Sequence, residues 1–448
     1  MSIYTRLVAG LVFPLQERAK QHDTVAVRRQ METTQWWPRE RILELQTTRL
    51  RALLCAAAEV PYWRDLFARL CFDPQAVRGP EDLAALPLLD KPTIRQHVDA
   101  MKHPLAAGLA RFNTGGSSGE PLVFFIGKER VGHDVAAKWR ATRWWGVDIG
   151  DPEVVVWGSP IELGSQDRIR ALRDRLMRTQ LIPAFDMSAA RLDEFVGRIR
   201  RARPRMLFGY PSALSHIALH AERRGQRMDD LGIRVAFVTS ERLYDEQRTA
   251  IQRVFGCPVA NGYGGRDAGF IAHECPQGGM HVTAEDIVVE LLDRDGRPVP
   301  PGQPGEIVTT HLATRDFPFI RYRTGDVGVW DTATCRCGRG LPMLKEIQGR
   351  ATDFVVAQDG TVMHGLALIY VLRDLPAVAG FRIVQESLSL TRVQVVPGEG
   401  FSPDTEAAIR RGLQARLGAG VVIELERVAQ IPAERSGKHR YVISKVAA

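Results

Sequence analysis

The chain has 448 residues, 45% of them apolar and 25% charged, which is the composition of an ordinary soluble globular protein with length for about two to three domains. Its net charge of +8, from 60 basic and 52 acidic residues, is mild at this length. No Lys/Arg run interleaved with aromatics occurs, which argues against a nucleic-acid partner while suiting a small anionic substrate. Residues 7–15 are apolar but too short to span a bilayer, and no small-residue cleavage site follows, so they read as a buried or surface-lying helix turn. With nothing else of transmembrane length, the expected location is the cytoplasm. The six cysteines, Cys55, Cys71, Cys257, Cys275, Cys335 and Cys337, form no framework typical of a small disulfide-rich secreted domain.

In chain order, residues 40–70 carry helical spacing of Leu and Ala, part of a helical apron over residues 1–100. Residues 112–121 follow, containing Thr114, Gly115, Gly116, Ser117, Ser118 and Gly119, ahead of the apolar run 122–126. Glycines there let the backbone turn its amides outward, and the hydroxyls add movable donors, which is chemistry for holding a polyphosphate. No Gly-Lys-Ser/Thr and no Gly-x-Gly-x-x-Gly accompanies it, so neither a Walker A loop nor a dinucleotide fold is indicated. Residues 129–145 predict a long amphipathic helix, 154–157 a buried strand, and 165–203 an Arg-rich helical stretch interrupted near 181–187.

From residue 205, strands and helices alternate: 206–209, 235–239 and 258–260 read as strands, each leading into a turn. That rhythm predicts an α/β fold with mostly parallel strands covered by helices and ligands outside their carboxyl ends. Residues 288–330 turn to strands with Gly/Pro turns, a β-rich subdomain, and a small α+β unit follows residue 349. The expected division is an N-terminal domain over residues 1–349 and a mobile C-terminal lid over 350–448. Cys55, Cys71 and Cys257 read as buried small apolar residues. Trp144, Trp145, Tyr210 and Phe237 are candidates for an apolar pocket wall.

Several signatures, in order, resemble the adenylate-forming acyl ligases, specifically the phenylacetate-CoA ligase family and its branch associated with capsular and exopolysaccharide loci. They run from Val60-Pro61-Tyr62 and the loop 114–121 through Gly209-Tyr210-Pro211-Ser212, Thr239-Ser240-Glu241 and residues 261–269. They continue with Arg321-Tyr322-Arg323-Thr324-Gly325-Asp326, Cys335-Arg336-Cys337-Gly338-Arg339, Gly349-Arg350 and Ser436-Gly437-Lys438. The resemblance implies an adenylate-forming enzyme fold and a reaction in two steps. A carboxylate attacks the α-phosphate of ATP to give acyl-AMP and pyrophosphate, and a thiol, amine or hydroxyl then takes the acyl group. Coenzyme A is one such acceptor, and a homodimer is among the expected states.

It also implies residue roles: Thr114, Gly115, Gly116, Ser117, Ser118 and Gly119 for the leaving phosphates, Ser240, Glu241, Tyr263 and Gly264 around adenine, Asp267 for Mg²⁺, Asp326 for the ribose hydroxyls. Arg350 would reach the ribose or phosphate, and Lys438 would bridge carboxylate and nucleotide as a point charge. Two departures stand out. Asp267 occupies the place of the usual Glu, one methylene shorter, and Thr352 with Asp353 replaces the usual hinge residue. These departures support the alternative of a non-catalytic nucleotide- or metabolite-binding protein that kept the fold. By spacing, Cys275-x5-His281 and Cys335-x-Cys337 offer four ligands for a closed tetrahedral Zn²⁺ site, with His273 an alternative nitrogen donor. Some members of the resembled family carry zinc on such a set.

Overall fold

The computed structural model describes residues 2–113, 122–157, 168–184, 187, 189–293, 295–348, 354–373, 375–431 and 441–446. Strands β1 (Ala110–Asn113) and β2 (Val123–Ile126) form an antiparallel hairpin in which Asn113 faces Val123. Strands β3 (Glu153–Trp157), β4 (Thr179–Pro183), β5 (Met206–Gly209), β6 (Val235–Thr239) and β7 (Val259–Gly265) are parallel neighbours in the order β7-β6-β5-β3-β4. Every residue of β5 and β6 is buried, as expected for central strands covered on both faces. The break in the Arg-rich stretch is β4, whose partner β3 lies next to it at the sheet's edge. Asn261 to Gly265, expected as a turn, instead continue β7, so the turn falls at residues 266–268.

The β-rich part is not a separate sheet. Strands β8 (Gly269–Glu274), β9 (Met280–Val282), β10 (Ile287–Leu292), β11 (Pro304–His311), β12 (Tyr322–Asp331) and β13 (Met343–Gln348) extend the same sheet antiparallel, giving eleven strands in the order β10-β11-β12-β13-β9-β8-β7-β6-β5-β3-β4. Two cores flank its halves. The helices Ala189–Ala202, Pro211–Arg223 and Asp245–Phe255 bury Phe195, Leu214, Ile217 and Phe255 against the parallel half. The apron helices Arg39–Ala57 and Pro61–Leu70 send Leu50, Leu54, Trp63 and Phe67 into one core with Phe124, Ile271, Phe319 and Tyr322 of the antiparallel half. Cys71, by contrast, is exposed: at φ +50° it caps the second of these helices in the left-handed region instead of filling the core.

Beyond residue 354, β14 (Phe354–Val356) pairs with β15 (Val362–His364). There β16 (Val378–Gln385), β17 (Leu390–Pro397), β18 (Val422–Arg427) and β19 (Val442–Ser444) make a four-stranded sheet ordered β18-β17-β16-β19. With the helices Leu366–Arg373 and Pro403–Leu417 this unit encloses its own core, including Leu368, Ile383, Val393, Ile409 and Leu413.

The helix Lys128–Trp144 departs from a simple amphipathic pattern, because its inward face carries charge. Arg140 is fully buried and bonds Glu285 at 2.6 Å, while His133 and Arg49 both reach Asp286 Oδ1, at 2.8 and 2.5 Å. Burial alone would neutralise His133, but the adjacent Asp286 carboxylate holds its pKa above 6.5, and His133 with Arg49 in turn holds Asp286 below 3.8 despite burial. The raised histidine contributes stability present below pH 6.5 and lost as pH rises through its folded value; the lowered carboxylate contributes above pH 3.8 and loses it in stronger acid. Asp286→Asn removes the buried carboxylate that half-buried His133 and Arg49 share, so chemical denaturation at pH 6 is expected to show a loss of about 1.5–3 kcal/mol. That loss should shrink toward pH 8.5 as His133 deprotonates.

Candidate active site

The site grows from a short strained segment. Arg321 sits at φ +52°, a conformation costly for a side-chain-bearing residue, and is held there by buried contacts. Its guanidinium pairs with both oxygens of Glu290 at 3.1 and 2.8 Å and donates to the Leu86 carbonyl at 2.6 Å, while its amide donates to Thr310 Oγ1 at 2.9 Å. This anchoring aims the next residue, Tyr322, into the core, where it is wholly buried and its ring meets Phe319 edge-on at 5.2 Å. From there the Tyr322 hydroxyl donates to Asp267 Oδ2 at 2.6 Å. Asp267 Oδ1 accepts the Ala268 amide at 3.2 Å, so the carboxylate is held from two sides.

Four residues further along β12, the Thr-Gly-Asp turn performs the same service for Asp326. Thr324 donates its hydroxyl to the Ile307 carbonyl at 2.7 Å and accepts the Asp326 amide at 3.1 Å, and Gly325 takes φ +76° between them. Asp326 Oδ2 then accepts the Tyr263 hydroxyl at 3.0 Å. The segment 263–267 thus lies against 322–326 in a reciprocal clamp in which each side supplies one tyrosine and one aspartate.

In a flat sheet β7 and β12, four positions apart in the strand order, would be about 19 Å from one another. Direct contact requires the antiparallel half to curl, and the clamp fastens the curl.

The hairpin that bounds the Gly/Ser segment reaches the same place through aromatic packing. Phe112 stacks on buried Phe124, Phe124 meets Phe319 edge-on at 5.6 Å, and Phe319 meets Tyr322. Thr114, Gly115, Gly116, Ser117, Ser118 and Gly119 lie outside the described residues, as do Arg350 and Lys438. Ser240 follows β6 at φ +73°, another left-handed non-glycine residue, and Glu241 Oε2 accepts the Ser212 hydroxyl at 2.5 Å from the first turn of the helix Pro211–Arg223. Gly264 is dictated by backbone crowding, since a Cβ there would meet the Gly269 carbonyl oxygen at 2.2 Å. Beside Asp267, Arg266 feels Tyr370 of the C-terminal unit, and burial lowers its pKa.

Of the apolar candidates, Phe237 is fully buried and Trp144 packs edge-on to His281 at 5.9 Å, so neither belongs to an open wall. Trp145 donates its indole N–H to the Glu274 carbonyl. Tyr210 does lie at the carboxyl end of the parallel strands, half-buried and stacked at 4.6 Å on Trp157, a residue the sequence reading did not single out. Gly209 makes that closeness feasible, because a Cβ would sit 2.2 Å from the Val156 carbonyl oxygen.

Cys275, His281, Cys335 and Cys337 converge, their ligand atoms all within 4.8 Å of one another. Cys275 Sγ lies 3.6 Å from Cys335 Sγ, and Cys337 Sγ lies 3.2 Å from His281 Nε2. Tetrahedral zinc with bonds of about 2.0–2.3 Å spaces its ligands by about 3.5–3.8 Å, so the set fits with little adjustment. His281 Nδ1 lies 3.3 Å from the Leu341 carbonyl, which fixes the N–H there and leaves Nε2 free to ligate. Burial holds His281 neutral, its pKa lowered to about 4. His273, the alternative donor, is fully buried between Phe237 and Phe270 and lies outside the cluster.

This fold, a curled mixed sheet with a smaller C-terminal sheet unit, is the fold of the adenylate-forming ligases. The AMP-binding enzyme family matches residues 178–312, and the CapK C-terminal domain matches 355–445. The chain is similar in sequence to the phenylacetate-CoA ligases and to CapK. A phenylacetate-coenzyme A ligase of Thermus thermophilus is 27% identical over 351 residues, covering 76% of this chain and 77% of that one. Protein CapK of Staphylococcus aureus is 23% identical over 365 residues, with 81% and 80% covered. The fold is shared with 2-hydroxyisobutyryl-CoA ligase, solved with 2-HIB-AMP and CoA, at a TM-score of 0.66, 22% identity, and coverage of 92% of this chain and 91% of that one.

Gly279 is the residue on which the Cys/His cluster turns, for a Cβ there would lie 2.7 Å from both Cys335 Sγ and Met343 Sδ. Protein purified without a His-tag is expected to carry one zinc per chain by elemental analysis, and Gly279→Ala or Cys335→Ser to lose most of it and melt several degrees lower. Clearly less than one zinc in the parent protein would remove the site.

Proposed function

We propose that the chain activates a carboxylic acid with ATP, forming an acyl-adenylate and releasing pyrophosphate, and then passes the acyl group to coenzyme A. The observation that carries this reading is the reciprocal tyrosine–aspartate clamp, which fixes two carboxylates close together in an adenylate-forming fold. Adenylation joins two anions, so the protein's part is neutralisation and positioning more than covalent help. Asp326 holds the ribose hydroxyls, its orientation set by Thr324 and Tyr263. Asp267 offers hard oxygen donors suited to Mg²⁺, which when bound shields the charge of the phosphates. Its shorter side chain is compensated by the buried Tyr322 hydroxyl, which holds the carboxylate in one orientation.

Residues 114–119 cradle the leaving pyrophosphate, and Ser240, Glu241 and Gly264 border the base. Lys438 bridges the incoming carboxylate and the α-phosphate, while Arg350 touches the nucleotide near the joint between the two units. After adenylation the C-terminal unit, over residues 350–448, turns about that joint to admit the thiol, a lid-type step. The electrostatic influence of Tyr370 on Arg266 is one such a turn would alter. The stacked pair Trp157 and Tyr210 favours a flat, apolar acyl group. We assign zinc on the Cys/His cluster a structural role, because the protein fills all four positions.

An ATP–pyrophosphate exchange screen over aryl, fatty, amino and sugar acids is expected to find exchange with an aromatic or similarly flat acid. Lys438→Ala should retain ATP binding yet lose about 10²-fold or more of acid-dependent exchange. Silence across the panel in a protein that binds ATP would mark a non-catalytic binder, and normal exchange by the lysine variant would refute its role.

A further inference from the structure

The apolar stretch at residues 7–15 has no part in the site above, and its geometry gives it another use. It lies within a continuous helical run from Ile3 to Ala19, about 25 Å long, whose middle, Val8–Val12, is wound as a π-helix. The wider turn sets Val8 and Phe13, five residues apart, on the inner face, where Phe13 meets Trp139 edge-on at 5.1 Å. The same turn leaves an outer row with nothing on it among the described residues: Ile3 is 88% exposed, Leu7 50%, Leu11 52% and Leu15 57%.

A second element continues this surface. Met177, at the end of the helix Arg168–Met177, is buried in the core that holds Val8 and Phe13, and the Tyr4 hydroxyl donates to the Leu176 carbonyl at 2.7 Å. Leu176 and, one turn earlier on the same face, Leu172 are 44% and 61% exposed.

The charge around these residues is one-sided. Arg6, Arg18, Arg175 and Arg178 are exposed about the patch, and Arg178 lies over the Tyr4 ring. Glu17, the sole carboxylate of the run 3–19, is turned inward to Thr24 and His22 and pairs with Lys20 at 3.1 Å, and Asp174 of the second helix is paired with Arg173. A helix with aliphatic residues on its outer face and a basic rim has the amphipathic form that lies in the plane of a bilayer, apolar side chains among the acyl chains and cations among anionic headgroups. A second copy of the chain would set the basic rim against itself. We propose that this face docks the protein on an anionic membrane surface, as a peripheral contact; among the described residues no helix is long and apolar enough to cross a membrane.

The test is co-sedimentation of the full chain with vesicles of phosphatidylcholine alone or mixed with phosphatidylglycerol, at low and high salt. Binding to the anionic vesicles alone is expected, weakened by salt. It should fall about tenfold or more in Leu7→Gln/Leu11→Gln and in Arg6→Gln/Arg18→Gln, with unchanged melting temperature. The proposal is overturned if the parent protein stays in solution, binds both vesicles alike, or keeps its binding in the leucine variant. A dimer by light scattering that the leucine variant converts to monomer would also overturn it, assigning the face to a second copy. Adenylation measured without lipid stands or falls separately, since none of these four residues touches the nucleotide site.

Discussion

Two hydroxyl-to-carboxylate bonds, Tyr322 to Asp267 and Tyr263 to Asp326, are the constraint on which the active region depends. Each fixes one carboxylate, and together they hold the turn after β7 against the start of β12, which only a curled sheet allows. A hydrogen bond to a charged group contributes about 1.5–3 kcal/mol, so two such bonds matter both to the local fold and to the aim of the groups they hold. Under the proposed function, a carboxylate held in advance need not be ordered when the nucleotide arrives, a form of preorganisation.

What surrounds the clamp explains its rigidity. Strain at Arg321 is absorbed by Glu290 and the Leu86 carbonyl, and the aromatic series Phe124, Phe319, Tyr322 transmits the position of the hairpin to Asp267. Behind them lies the charged layer beneath the helix Lys128–Trp144, where Arg130 donates to the Arg266 carbonyl at 2.8 Å and so steadies the turn that carries Asp267. The Cys/His cluster ties β9 to the segment before β13 in the same half of the sheet. The N-terminal unit is thus built stiff near the carboxylates, while the C-terminal unit has an independent core.

Much of this could be read from residue order alone, and the reasons are specific. Parallel β5 and β6 announce themselves as apolar runs because both faces are buried, and Cys275, His281, Cys335 and Cys337 stand out because few residues ligate metals. The turn at Asp326 was legible through the Thr-Gly before it. Tyr322 was not: an aromatic before a charged residue resembles any core position, and its role depends on a contact 55 residues distant. Arg321 likewise hides, since nothing local reveals a left-handed arginine. The antiparallel strands read as a separate subdomain because strand periodicity says nothing about which sheet a strand joins. Cys71 was misjudged because a helix-capping conformation outweighed the usual burial of a small thiol. The charged layer under residues 128–144 was invisible for a related reason, since its partners Glu285 and Asp286 come from a distant turn.

The most direct test of the account is a crystal structure of the chain with Mg²⁺ and a non-hydrolysable ATP analogue. The account predicts ribose hydroxyls on Asp326, the metal against Asp267, both tyrosine hydroxyls still bonded to their aspartates, and the phosphates at residues 114–119. A nucleotide bound elsewhere, or one bound here with Asp267 and Asp326 both turned away from it, would contradict it.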